Sequence, residues 1–227
     1  MSGYSLTEEL KRAYPFWDSL DAAERTALTN GSALRRYAKG APVSAENGVC
    51  AGVLRVLDGE LRAYITSGDG REITLYRLCG GDLCVLASCA LSEISFDVAV
   101  ETLCDSEVLQ TSAAVFKELA ANNEKVENFA AKAAAEKFSD VMWTLRQILF
   151  LSADKRLAAF LWDECAKNGS DEIRLTHEQI ATYMGTAREV VSRMLKYLER
   201  EGAVALSRGV VRVDRTALKR FLPDANP

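Results

Sequence analysis

The side chains best suited to chemistry stand together near the carboxyl end: Arg188, Glu189, Ser192, Arg193 and Lys196. On a helix, residues three and four apart share a face. These five therefore form one polar strip, while Val190, Val191, Met194, Leu195 and Leu198 point the other way. Arg grips guanine bidentately, Glu accepts from the cytosine amino group, and Ser can serve either kind of base edge. The strip thus has the chemistry of a base reader in the major groove of double-stranded DNA; the alternative is a solvated face on a structural helical hairpin.

The preceding residues say how such a strip would be held. Thr176 caps a helix and Gln179, three residues on, closes a capping box. Ile180, Ala181 and Met184 make its buried face, with small Ala181 permitting close helix approach. Gly185 allows the left-handed turn that ends it, and Thr186 is expected to cap a second helix beginning at Arg188. That is helix-turn-helix spacing. Gly202, an apolar strand Ala203 to Leu206, a Ser207-Arg208-Gly209 turn and Val210 to Val213 then predict a β-hairpin wing.

Charge agrees with this assignment. The 227 residues carry 28 Lys and Arg against 32 Asp and Glu, a net charge of -4. Between Arg174 and Arg220, however, ten basic residues face five acidic ones. A basic module on an acidic body suits a phosphate-backbone partner. A single histidine, His177, argues against zinc-type sites and most acid/base hydrolase sites. No nucleophile and base are placed together, so no enzyme is expected. His177 itself, at the start of the first of the two helices, reads as either a phosphate contact or a plain surface residue. Trp17, Trp143 and Trp162 are too widely spread for a stacking platform and are expected in cores or at domain contacts.

No apolar run approaches the roughly 18 residues needed to cross a bilayer. The start, Met1 to Leu10 with Glu8 and Glu9, lacks a basic segment followed by an apolar one. A soluble cytoplasmic protein with no membrane partner is expected. In that compartment the six cysteines, Cys50, Cys79, Cys84, Cys89, Cys104 and Cys165, should be reduced. They are either buried small hydrophobes or a reactive or ligating group.

The rest of the chain reads as α+β. Residues 5 to 30 predict short helices, with Asp21 and Glu24 as a cap. From Leu34 to about Leu109 short strands alternate with Gly turns: Val53 to Leu57, Asp58-Gly59 as a hairpin turn, Leu61 to Thr66, Ser67 to Gly70, then Ile73 to Leu78. Several short strands at this spacing suggest a small barrel or jelly roll. From Ser112 the pattern is helical through Leu151, without Gly or Pro. Ala134, Phe138, Val141, Leu145 and Ile148 recur at four- and three-residue intervals, the seam of a two-stranded coiled coil. The stripe could instead pack on its own barrel; Met142 and Leu149 widen it enough for both, and a homodimer is expected. Ser152-Ala153-Asp154 interrupts the helix as a hinge, with Asp154 as the expected cap of a helix from Lys155 to Ala166. The division is 1-111 for short helices and sensor roll, 112-153 for dimerisation helix and hinge, and 154-227 for the winged helix-turn-helix.

Along nearly its whole length the chain resembles the Crp/Fnr family of bacterial transcription regulators. Arg188-Glu189-Val190-Val191-Ser192-Arg193 is similar to the family's recognition-helix core, and roll, long helix and hinge arrive in the family's order. The resemblance implies an N-terminal β-roll like the cyclic-nucleotide-binding jelly roll, a homodimer through Phe138, Val141, Leu145 and Ile148, and winged helices reading a palindromic operator. Its base-contacting residues carry over to Glu189, Ser192 and Arg193, with Ala187 and Arg188 beside them, and Thr176, Thr186 and Lys196 complete the expected DNA contacts. Glu189 with Arg193 would suit a half-site with a TGA-like core, and RNA polymerase is a further expected partner.

In cyclic-nucleotide members of the family, the loop after the Gly-Asp turn carries a Glu for the ribose and an Arg for the phosphate. Here Gly81-Asp82 leads to Leu86 at the ribose position and Phe96 at the phosphate position, with Asp97 beside it. Without the Arg the charge-assisted clamp on phosphate is gone, so cyclic AMP is not the expected signal. The candidate effector region is Cys79, Asp82, Cys84, Leu86, Cys89, Phe96 and Asp97. The family's iron-sulfur members use an N-terminal cysteine group, and none stands before Cys50 here. A thiol-, metal- or haem-based redox sensor with weak or vestigial DNA binding is the alternative; the effector, any metal and any cofactor stay unknown at this point.

Overall fold

The computed structural model describes residues 5–43, 52–68, 70, 72–85 and 98–223. They form two compact units: Met1–Ile65 with Leu75–Val141, and Thr66–Thr74 with Met142–Pro227.

In the first unit, α1 (Leu6–Ala13) buries Leu10 and Ala13. Helix α2 (Ala22–Asn30) starts on the capping box read from sequence, with Asp21 and Glu24 exchanging side chain to backbone hydrogen bonds of 2.8 Å. Strands follow: β1 (Ser32–Tyr37), β2 (Val53–Asp58), β3 (Glu60–Thr66), β4 (Glu72–Cys79), β5 (Leu83–Val85), β6 (Ala99–Thr102) and β7 (Ser106–Thr111). They make a four-stranded sheet ordered β1-β7-β2-β5 and a three-stranded sheet ordered β4-β3-β6. In β2, Val53, Leu54 and Val56 are fully buried, as are Leu61 and Ala63 in β3, so both sheets contribute apolar residues to one core.

The topology corrects one expectation. Asp58-Gly59 does not close a hairpin, because β2 and β3 belong to different sheets. The glycine is needed for another reason: at φ 90°, a Cβ there would come within 2.3 Å of Ser106 Oγ. A tight turn is legible in sequence; which strand each arm pairs with is not. The next turn does link neighbours, β3 and β4.

The helical stretch after the roll is not continuous. It divides into α3 (Ala113–Asn122) and α4 (Glu124–Phe150) at Asn123, whose Oδ1 accepts from the Lys125 amide at 3.1 Å and whose Nδ2 donates to Glu24 at 3.1 Å. Phe116 and Phe129 join Tyr14 and Phe16 in an aromatic cluster, with Phe16 and Phe129 edge to face at 5.2 Å. Along α4 the environment changes. Val126, Ala130 and Ala133 are buried with the roll core, whereas Phe138 is 66% exposed, Leu149 63% and Phe150 78%. Met142, Trp143 and Leu145 are also exposed, so of the two places expected for Trp143, a core or a domain contact, it does not take the core.

In the second unit, α5 (Ala153–Asn168) begins one residue after Ser152, which takes the N-cap position, and Asp154 falls in the first turn rather than at the cap. An acidic first turn still favours the positive end of the helix dipole. Strand β8 (Glu172–Ile173) had no counterpart in the sequence reading. It pairs antiparallel with β10 (Val210–Val213), whose other edge holds β9 (Val204–Ser207). Leu157, Leu161, Ile173 and Val211 pack with Ile180, Val191, Leu195 and Leu198 of the two intervening helices into one core.

Candidate nucleic-acid interface

Helix α6 (His177–Met184) starts as its sequence predicts. The Gln179 amide donates to Thr176 Oγ1 at 3.1 Å, and the Thr176 amide donates to Gln179 Oε1 at 2.8 Å. Gly185, at φ 60°, ends it. The Thr186 amide then reaches back to Ala181 O at 3.0 Å and the Gly185 amide to Thr182 O at 3.3 Å, the paired bonds of a Schellman turn. Arg156 of α5 donates a further hydrogen bond to Met184 O.

Thr186 is therefore consumed by the turn and does not cap the next helix. Helix α7 (Arg188–Arg200) has Ala187 at the N-cap position, without a side-chain cap. Its inner face is Val191, Leu195 and Leu198, fully or almost fully buried, with Met194 packed beside them. Arg188, Glu189, Arg193 and Lys196 are exposed. Together with Ser192, Tyr197 and Arg200 they make up the open outer face of α7. Among the described residues none of Arg188, Glu189, Arg193 or Lys196 has an ion-pair or side-chain hydrogen-bond partner. An exposed arginine with no internal partner keeps all five guanidinium donors for a ligand.

Other basic residues of the module are committed. Arg212 pairs with Glu172 at 2.6 Å and Arg215 with Asp171 at 2.5 Å. These bonds tie β8, β10 and the start of α8 (Arg215–Leu218) together, so the basic excess counted from sequence is partly neutralised where it supports the scaffold. The Leu206 amide donates to Glu199 Oε1 at 3.0 Å, fastening α7 to the wing.

Two features were not legible beforehand. Tyr197 lies at the edge of the outer face of α7 and packs edge to face on Phe221 at 5.9 Å. Ser192 is half-buried, and its Oγ lies 2.8 Å from Nδ1 of His177. A contact fifteen residues apart across a turn leaves no periodic trace in the sequence.

In the roll, Asp82 Oδ2 accepts from the Cys79 amide at 2.8 Å, so this carboxylate braces its own turn. Cys84 is fully buried, with Sγ 3.5 Å from the Tyr76 hydroxyl. Burial pushes its thiol from the ordinary 9.0 up to about 11. Cys104 is exposed and Cys165 is buried in the other unit. Leu86, Cys89, Phe96 and Asp97, like Cys50, lie outside the described residues. Among the described residues no cluster of three or more His, Cys, Asp or Glu is placed to hold a metal, and no helix is long and apolar enough to cross a membrane.

Comparison with known proteins accounts for both units. The cyclic nucleotide-binding domain family matches residues 34–123 and the Crp-like helix-turn-helix domain family matches residues 155–221. A solved chain from Eubacterium rectale, assigned to the Crp/Fnr transcriptional regulators, is 39% identical and superposes with a TM-score of 0.85 over 92% of this chain and 98% of its own. The chain belongs to the Crp/Fnr family. Among curated relatives, the cAMP-activated global transcriptional regulator Vfr of Pseudomonas aeruginosa is 27% identical over 75% of this chain and 84% of its own length. The nitrogen fixation regulation protein FixK of Bradyrhizobium diazoefficiens is 28% identical over 84% of this chain and 82% of its own. As a Crp/Fnr-type chain this is a DNA-binding transcription regulator, and the winged helix-turn-helix is the part built for that work.

Proposed function

We propose that the protein acts as a homodimer that reads a palindromic operator with two α7 helices, each laying Arg188, Glu189, Ser192, Arg193 and Lys196 into a major groove. The observation that carries this reading is the row of exposed, internally unpartnered charges on α7, held on a doubly anchored helix beside a wing. Two-fold symmetry sets the half-sites about one DNA turn, roughly 34–36 Å, apart. Thr176, Thr186 and Ala187 stand beside the helix starts and complete the proposed DNA contacts. Dimerisation is assigned to Phe138, Val141, Leu145 and Ile148 on α4, because exposed Phe138, Leu145 and Leu149 make an apolar surface unsuited to water.

The division into sensor roll (1-111), dimerisation helix with hinge (112-153) and reader (154-227) belongs to the same proposal, as do action in the cytoplasm, contact with RNA polymerase and the absence of a catalytic step. The signal acts at the roll and is not cyclic AMP, given Leu86 and Phe96 where a ribose-binding Glu and a phosphate-binding Arg stand in cyclic-nucleotide members. A switch of this kind requires the signal to bind one arrangement more tightly than the other. Burial of Cys84 argues against this thiol as the redox trigger. The test is selection from random duplexes by the full-length protein, followed by titration over a range of salt. A palindrome and a steep loss of affinity with salt are expected; indifference to duplex DNA at low ionic strength would overturn the reading.

A further inference from the structure

We propose that His177 is a specificity-setting positioning residue of the reader: its imidazole holds the Ser192 hydroxyl and decides whether that hydroxyl offers a lone pair or a hydrogen to one base pair of each half-site. The proposal rests on α7 being the base-reading helix. His177 is the first residue of α6 and is fixed by the capping box around it, and Ser192 lies in the second turn of α7. The 2.8 Å contact between Nδ1 and Oγ replaces the bond back to the preceding turn that a serine within a helix usually makes. The serine rotamer is therefore set from another helix.

A hydroxyl has one hydrogen and two lone pairs. When Nδ1 is bare it accepts the serine hydrogen, and Oγ has only lone pairs left for a base. Such an oxygen selects the amino groups of cytosine or adenine. When Nδ1 carries a hydrogen, in the imidazolium or the other neutral tautomer, it donates to Oγ, and the serine hydrogen becomes free for guanine O6 or N7, adenine N7 or thymine O4. One side chain thus has two readouts, set by whether Nδ1 of its partner carries a hydrogen. The charged groups sharing the cavity beside His177, about 390 Å³ in volume, are Glu178 on its own helix and Arg188 on α7. The wing contributes Ser207, Gly209, Val210 and Val211 there, none of them charged.

Because the chain has one histidine, the imidazole nitrogens of the intact protein can be followed by NMR without further labelling schemes. Ser192→Ala should move the Nδ1 resonance of the free protein while leaving the amide spectrum of the core in place. The Nδ1 resonance shows whether that nitrogen is bare or carries a hydrogen, and site selection then reads the consequence. At one position per half-site the wild-type chain should favour an amino group, C or A, where Nδ1 is bare, and an acceptor edge where it carries a hydrogen, by roughly five- to tenfold, in line with the discrimination one base contact provides. His177→Gln and Ser192→Ala should each weaken that preference, and the double variant should behave as Ser192→Ala alone. A preference opposite to the one the Nδ1 state dictates, a preference unchanged in His177→Gln, or an Nδ1 resonance unmoved by Ser192→Ala would each overturn the proposal. Absence of any operator preference in the wild-type chain would overturn the reading of α7, and this role with it.

Discussion

Replacing Arg193 by Ala separates base reading from folding. Arg193 is exposed and engages no other side chain among the described residues, and Ala is at least as good a helix former. Stability should therefore change by no more than about 0.5 kcal/mol, the usual range for such surface positions. Binding is a different matter. A bidentate Arg-guanine contact discriminates by about 1–3 kcal/mol. On the proposed dimer and palindrome the contact would be made twice, so the selected operator should lose about 2–6 kcal/mol, on the order of 30-fold to 10⁴-fold in Kd. On random-sequence duplex the same variant should lose little, its salt slope falling by at most about 2 for the two removed charges. The assays are a thermal melt, titration of operator and of random duplex at several salt concentrations, and site selection. Equal losses on operator and random DNA would make Arg193 a phosphate contact. An undiminished base preference at every operator position would remove α7 from the role assigned to it.

Phe138→Glu, at an exposed position on α4, should leave the monomer folded and shift sedimentation to a single chain, with affinity for the palindrome falling to that of one half-site; an unchanged dimer mass would refute the assigned face. Cyclic AMP should give no thermal shift, and a rise of several degrees would show that the roll clamps it without the missing arginine. Cys84 provides a pH test. Its folded thiol is raised to about 11 from 9.0, so the unfolded chain releases this proton first. The contribution is intact below about pH 9 and is lost between pH 9 and 11, up to roughly 3 kcal/mol. Urea unfolding of wild type should weaken more steeply over that interval than unfolding of Cys84→Ala; parallel slopes would contradict the burial.

What the sequence made legible was local. Asp21 with Glu24 and Thr176 with Gln179 are capping boxes in both sequence and structure, since each needs only a donor and an acceptor three residues apart. The apolar and polar faces of α7 follow from helical period alone. What was not legible depends on partners distant in the chain. Asp58-Gly59 marks a turn, yet nothing local says that its two arms enter different sheets. Asn123 breaks the long helix partly through a bond to Glu24, ninety-nine residues away, and a helix-compatible composition hides it. Thr186 has the right type for a cap but is taken by the turn before it.

The same division explains why one residue on the reading strip is unlike its neighbours. Arg188, Glu189, Arg193 and Lys196 are exposed without internal partners and sample many rotamers before binding. In the proposed complex each would lose about 0.5–1.5 kcal/mol of side-chain freedom on being immobilised against DNA. Ser192 has a short side chain and already holds a hydrogen bond to His177, so little is left to lose. Flexible charges suit approach and phosphate attraction, which tolerate imprecise geometry. A hydrogen bond from a single hydroxyl tolerates much less, and on this surface it is the hydroxyl that is already held in place, as the proposed base contact requires.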